Sequence, residues 1–153
     1  MFKLSPEGKI FLEKNKNKKI VFTNGCFDIL HSGHISYLND AKGLGDILFI
    51  GLNSDSSVKN LKGPERPIND EQERKVILEN LKSVDFVELF SEETPMSLIR
   101  EVAPDFLVKG GDWPINQIVG HEFVQEIGGI VQSLPFKDGF STTSIIEKIK
   151  NLK

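Results

Sequence analysis

The chain has 153 residues, 39% of them apolar and 27% charged, an ordinary composition for one globular domain with one core. Nineteen Lys and Arg against 22 Asp and Glu leave a net charge of −3, which argues against a broad nucleic-acid-binding surface but leaves room for a local basic pocket. A single cysteine, Cys26, excludes an intrachain disulfide and a Cys-based metal site, and no apolar stretch approaches the roughly 20 residues that span a bilayer.

Residues 1–19 are mostly polar and basic and lack the apolar core of a secretory signal. The expected compartment is therefore the cytoplasm, with neither a membrane nor a nucleic acid as partner. The basic run at 14–19 (KNKNKK) reads as a solvated helix end or loop. Residues 19–23 (KIVFT) form a first strand. Residues 35–42 are helical, with Ile35, Leu38 and Ala41 three apart and Gly43 and Gly45 as the stop. Residues 47–52 (ILFIGL) form a second strand, apolar on both faces as a buried parallel strand is.

A helix is predicted over residues 70–82, capped by Asn69 or Asp70, with Ile77 and Leu81 on its apolar face. Residues 85–90 make a third strand. Thr94-Pro95 starts a further helix whose stripe is Met96, Ile99 and Val102, and Pro104 ends it. Residues 106–109 make a fourth strand. A helix over 117–127 carries Val119, Phe123 and Ile127 four apart and closes at Gly128-Gly129. Residues 130–134 make the fifth strand, and 141–152 a final amphipathic helix.

Five strands alternating with helices imply an α/β, Rossmann-like fold: a single doubly wound domain, 1–153, built on a five-stranded parallel sheet. Such a sheet binds ligands at the carboxyl ends of its strands, near the point where strand order reverses. The chemically suggestive residues fall there: after the first, second and fourth strands, and at the start of the last helix.

The strongest signal is the segment 23–34, TNGCFDILHSGH. Gly25 permits a tight turn, and Gly33 allows close approach of a ligand to the backbone. The helix that begins near His34 turns its free N–H groups and dipole toward this loop and favours an anion. His31 and His34, two of the three histidines, flank Gly33 and can both donate to phosphate oxygens. His121, the third, is expected to do nothing catalytic. No GxxxxGK[ST] is present and no GxGxxG follows the first strand, which speaks against a P-loop enzyme and against a dinucleotide-binding oxidoreductase.

TNGCFDILHSGH resembles the signature of the cytidylyltransferase-like family of HxGH nucleotidyltransferases. More narrowly, GLNSD (51–55), LKGPERP (61–67), VKGGDW (108–113) and FKDGFSTTSII (136–146) resemble the branch that joins ATP to D-glycero-β-D-manno-heptose 1-phosphate, giving ADP-heptose and pyrophosphate. The likeness covers about residues 8–152. It implies that His31, His34 and Lys62 are catalytic, Lys62 as the lysine of a mobile loop, with Lys59 a second candidate. It further implies that Thr23, Asn24, Gly25, Cys26, Phe27, Asp28 and Gly33 surround the nucleotide's phosphates. Gly110, Gly111 and Asp112 would flank the base and ribose, while Ser141, Thr142 and Thr143 would bind phosphate at a helix N-terminus. Mg²⁺ is expected to enter with ATP, without a dedicated protein metal site. A homodimer through the helix near Asp70 and a separate heptose kinase complete the expectation.

Alternatives stay open residue by residue. Ser144-x-x-Glu147 is also a capping box. Asp28 could orient the loop or hold Mg²⁺ through water, Arg66 and Arg74 could bind phosphate or support the loop, and Gly110-Gly111 could be a plain turn. Trp113 could pack structurally or lie by the nucleotide. Phe136 stands where the cytidylyl branch has an arginine (RTEGISTT), which favours ATP over CTP. Rival functions are transfer to glycerol 3-phosphate, an amino-alcohol phosphate or FMN, or a nucleotide-binding module without turnover. A class I aminoacyl-tRNA synthetase fragment would share the loop, but no KMSKS-like segment is present.

Overall fold

The computed structural model describes residues 2–153. In chain order the elements are α1 (Pro6–Lys14), β1 (Ile20–Gly25), α2 (Ser32–Lys42), β2 (Ile47–Asn53), α3 (Asp55–Lys62), α4 (Glu71–Glu79), β3 (Phe86–Phe90), α5 (Met96–Val102), β4 (Phe106–Gly110), a 3₁₀ turn (Ile115–Gln117), α6 (His121–Glu126), β5 (Ile130–Leu134) and α7 (Thr142–Lys150). The strands form one all-parallel sheet in the order β3-β2-β1-β4-β5. The order reverses between β1 and β4, so the switch point lies at the end of β1, where the HxGH loop begins.

Alternate side chains of each strand face opposite ways and build two cores. Phe22, Phe49, Leu107 and Val131 pack with α1, α5 and α6 on one face. Val21, Leu48, Ile50, Val108 and Leu134 pack with α2 and α4 on the other. Phe22, Phe49, Leu48 and Ile50 are wholly buried, each contributing about 1.5–3 kcal/mol by removal from water.

Two helices were absent from the sequence expectation. Ser5 caps α1 by accepting from Gly8 N–H, with Pro6 in the first turn. The same Ser5 donates its N–H and hydroxyl to the buried Glu88 carboxylate on β3, at 2.7 and 2.8 Å. Gly8 leaves room at that junction, because a Cβ there would lie 2.8 Å from Glu88 Oε2 and displace the carboxylate from Ser5. The second helix, α3, is capped by Ser54 and ends at Lys62, so Lys62 belongs to a helix and not to the loop expected for it.

Two predicted helix faces are corrected. On α4 the buried positions are Arg74 and Leu78, not Ile77, which is 37% exposed; Leu81 lies past the helix end and packs half-buried against the core. The helix expected over 117–127 is interrupted: Gly120 takes φ +89°, α6 begins only at His121, and Val119 and Ile127 are exposed while Ile118 and Val124 are buried. Among the described residues no helix is long and apolar enough to cross a membrane.

Candidate active site

The loop from Cys26 to His31 is fixed from beneath. Asp28, 2% exposed, accepts from Arg66 Nε at 2.9 Å, Ile68 N–H at 2.7 Å and Asn69 N–H at 3.0 Å. Burial alone would raise its carboxyl pKa, but those three donors outweigh it and hold the group below the usual carboxylate range. Both oxygens are thus committed, so Asp28 orients the loop; it does not fit the metal-holding role that the sequence left open. Arg74, 1% exposed, donates to the carbonyls of Asn69, Cys26 and Asn53 and to Asp55 Oδ1. It is a strut, with no fork left for phosphate. The left-handed backbone of the turn falls at Phe27 (φ +48°) and Ile29 (φ +54°), not at Gly25. Gly25 instead leaves room for the Phe27 ring, whose nearest atom would lie 3.1 Å from a Cβ there.

His31 is the N-cap of α2, so the helix starts at Ser32, two residues before the expected His34. The two histidines form a capping box: Gly33 N–H donates to His31 Nδ1 at 3.1 Å, and His31 N–H donates to His34 Nδ1 at 3.3 Å. An accepting Nδ1 carries no proton, so each neutral ring holds its proton on Nε2. The backbone donors at this helix end are thereby exchanged for imidazole N–H donors. Burial lowers both pKa values, that of His34 to about 4 with help from His31, whose ring centroid is 4.0 Å away. Gly33 leaves space for His31 and not for a ligand: a Cβ would lie 2.8 Å from the His31 ring.

The N-terminus of α7 faces this loop. Ser141 caps it by accepting from Ser144 N–H, so the cap lies one turn before the Ser144–Glu147 box. Thr142 Oγ1 donates to the Asp28 carbonyl at 2.8 Å, and the exposed Thr143 hydroxyl is left over. Tyr37, buried and hydrogen-bonded to Thr23 at 2.6 Å, has its pKa pushed up to about 12 by burial. Thr23 therefore sits under the loop. The Phe136 ring lies 5.6 Å from Tyr37 and rests on Gly110, where a Cβ would come within 2.4 Å of it.

These groups enclose one cavity of about 680 Å³. Of the expected residues, Asn24, Gly25, Cys26, Phe27, Asp28, His31, His34, Lys62, Gly110, Ser141, Thr142 and Thr143 line it; Thr23, Gly33, Gly111 and Asp112 do not. Lys59 does not line it, whereas Arg66, Trp113 and Phe136 do. The Cys26 thiol is raised by burial, which outweighs the nearby Lys62, Arg74 and Arg66 charges. Tyr37, Pro95 and Val119 are unforeseen wall residues; Asn53, Leu61, Lys109 and Phe140, also in the wall, stand within the motif segments quoted above, and Glu93 and Thr94 within the loop 91–94 that the sequence places near the acceptor. Lys109 carried a readable signal, a charge in the otherwise apolar strand FLVKG, at the carboxyl end of the sheet. Among the described residues no cluster of three or more His, Cys, Asp or Glu side chains is placed to hold a metal ion.

The chain is similar to several known proteins. The chain is 55% identical over 137 residues to the bifunctional protein HldE of Citrifermentans bemidjiense, covering 90% of the chain and 28% of that protein. It is 53% identical over 149 residues to HldE of Campylobacter jejuni, covering 97% of the chain and 32% of that protein. The chain thus spans under a third of the length of these relatives. The lipopolysaccharide core biosynthesis protein of Thermoplasma volcanium superposes with a TM-score of 0.63 at 33% identity, covering 78% of this chain and 97% of that one. Pantoate-beta-alanine ligase of Francisella tularensis shares the fold, at a TM-score of 0.58 and 18% identity over 95% of this chain and 71% of that one. The Cytidylyltransferase-like family matches residues 22–148, so this chain, with its two imidazoles at the switch point, belongs to the cytidylyltransferase-like family.

Proposed function

We propose that the protein is an adenylyltransferase that joins ATP to D-glycero-β-D-manno-heptose 1-phosphate, releasing pyrophosphate and ADP-heptose. The observation that carries the reading is the convergence of His31, His34, Lys62 and the α7 N-terminus on one cavity. An oxygen of the acceptor's phosphate attacks the α-phosphorus of ATP, the α–β bridging bond breaks, and pyrophosphate leaves. A phosphate monoester is already anionic at neutral pH, so the step needs no strong base and no covalent enzyme intermediate. The protein's contribution is position and charge. Neutral imidazoles with Nε2–H donors stabilise the charge that develops on the α-phosphate, and Lys62 and the helix dipoles add to it.

Mg²⁺ enters this reading as part of the Mg·ATP substrate, held by phosphate oxygens and water. Phe136, stacked on Gly110 at the cavity wall, supports a flat base on this side and, in place of an arginine, ATP over CTP. The heptose phosphate has to come from a kinase. We place the reaction in the cytoplasm. We also infer a homodimer through α4, supported by the exposed Val76 and Ile77; sedimentation as a monomer at micromolar concentration would overturn that part.

Pyrophosphate release by the purified protein with Mg²⁺ tests the main reading, comparing ATP and CTP, each with and without the heptose 1-phosphate. Release with ATP plus heptose 1-phosphate alone is expected. Release with CTP, or with glycerol 3-phosphate or FMN in place of the heptose, moves the chain to another acceptor branch. No release with any pair favours a nucleotide-binding module.

A further inference from the structure

The cavity straddles the top of the sheet, and its two halves differ. His31, His34, the α7 N-terminus and Phe136 occupy the α2 side. Lys109 lies two residues beyond Leu107 on β4 and Asn24 two beyond Phe22 on β1, so both leave the sheet on the opposite, α5 and α6 side. There they line the cavity together with Thr94, Trp113 and Val119.

Lys109 is the cation of this second half. Its Nζ sits 4.9 Å from the centroid of the Trp113 ring, and it forms no ion pair among the described residues. Glu93, the acid on this wall, is exposed and pairs with neither Lys109 nor Lys62. Burial, and then the charge of Lys62, pull the Lys109 amine below the usual lysine range. A half-buried ammonium that faces a second cation and lacks an acid is relieved by an incoming anion. The histidine half already offers two imidazoles and a helix N-terminus to a triphosphate. A single ammonium on a flexible stem suits the compact charge of a monophosphate.

We propose that Lys109 binds the phosphate of the acceptor, in the α5 and α6 half of the cavity, while the histidine half holds the phosphates of ATP. This rests on the adenylyl-transfer reading and adds the residue that seats its nucleophile. Two phosphate groups repel as they approach for in-line attack, and the Lys109 ammonium on the acceptor side offsets that repulsion.

The test uses inorganic phosphate as probe, titrated into the protein saturated with Mg²⁺ and α,β-methylene-ATP, which cannot transfer its adenylyl group. Binding is read by calorimetry and by the fluorescence of Trp113, the sole tryptophan. A saturable phosphate signal is expected, weakened about 10- to 100-fold by Lys109→Met, as for loss of one charged hydrogen bond, and largely regained in Lys109→Arg. Affinity for the ATP analogue should stay within about twofold, since no contact to the triphosphate is removed. In turnover, Lys109→Met should raise the KM for heptose 1-phosphate by a similar factor and leave the KM for ATP unchanged. Unaltered phosphate affinity in Lys109→Met, a parallel fall in analogue affinity, or no saturable phosphate binding by the native protein each overturns the proposal. Phosphate binding through Lys109 without pyrophosphate release from the heptose phosphate upholds the site and rejects only the choice of acceptor.

Discussion

The two ends of the cavity that carries the histidines are held in opposite ways. The loop of residues 23–34 rests on Asp28 and Arg74, both at most 2% exposed, and between them they engage seven hydrogen-bonding groups. Helix α7 buries no residue and is tied to that loop through the Thr142 hydroxyl. Among the described residues no buried side-chain nitrogen or oxygen lacks a partner, so the loop's polar support is complete before any substrate arrives. The contrast teaches where pre-organisation resides. The histidine end owes its geometry to buried hydrogen bonds of the fold, and the α7 end has only its Thr142 tether to order it.

The comparison breaks most sharply at Arg74. Arg74→Met leaves three carbonyls and Asp55 without their donor, and should cost about 3–5 kcal/mol, read as the urea midpoint. An equal loss from any substitution within α7 would remove the asymmetry. Next are the histidines. His31→Ala or His34→Ala should lower turnover about 10²-fold or more, the scale of one lost charge-stabilising donor. Unchanged pyrophosphate release in either variant would sink its assignment.

Acid sharpens the same contrast more gently. The unfolded His34 ring takes up a proton near the ordinary value of 6.5, whereas the folded ring resists protonation down to about 4. The unfolded state thus binds more protons in that window, so this group's share of stability is intact above it and shrinks as pH falls from 6.5 to about 4. Urea melts at several pH values, compared with His34→Asn, should show a shallower acid loss in the variant. Smallest is Thr142→Val, which removes the α7 tether and should cost about 1 kcal/mol or less, with faster amide exchange in α7 and an unaltered 23–34 loop.

The five strands were legible in the sequence because buried parallel strands are short apolar runs, and all five were found. Helix faces were less so. On α4 the periodic stripe pointed to Ile77, yet the buried positions belong to Arg74 and Leu78, because a guanidinium held by three carbonyls and a carboxylate packs inward like an apolar group. Helix α1 was hidden by its polar residues, although Ser5-Pro6 was a readable start. Within the site, the histidines and the hydroxyls at 141–143 were legible from local pattern. Lys109 was legible only as a charge in an apolar strand, since its meaning depends on the α5 and α6 wall that the sheet brings to it from distant parts of the chain.

The histidine capping box has an evolutionary consequence. The same two ring nitrogens cap the start of the helix and leave each neutral ring's proton on Nε2. A lineage that abandoned the chemistry could not let these positions drift freely, because each loss would also unfasten the start of α2. Descendants that keep the fold without the reaction should therefore carry an ordinary Ser, Asp or Asn cap at position 31, a scar by which they could be told from working members.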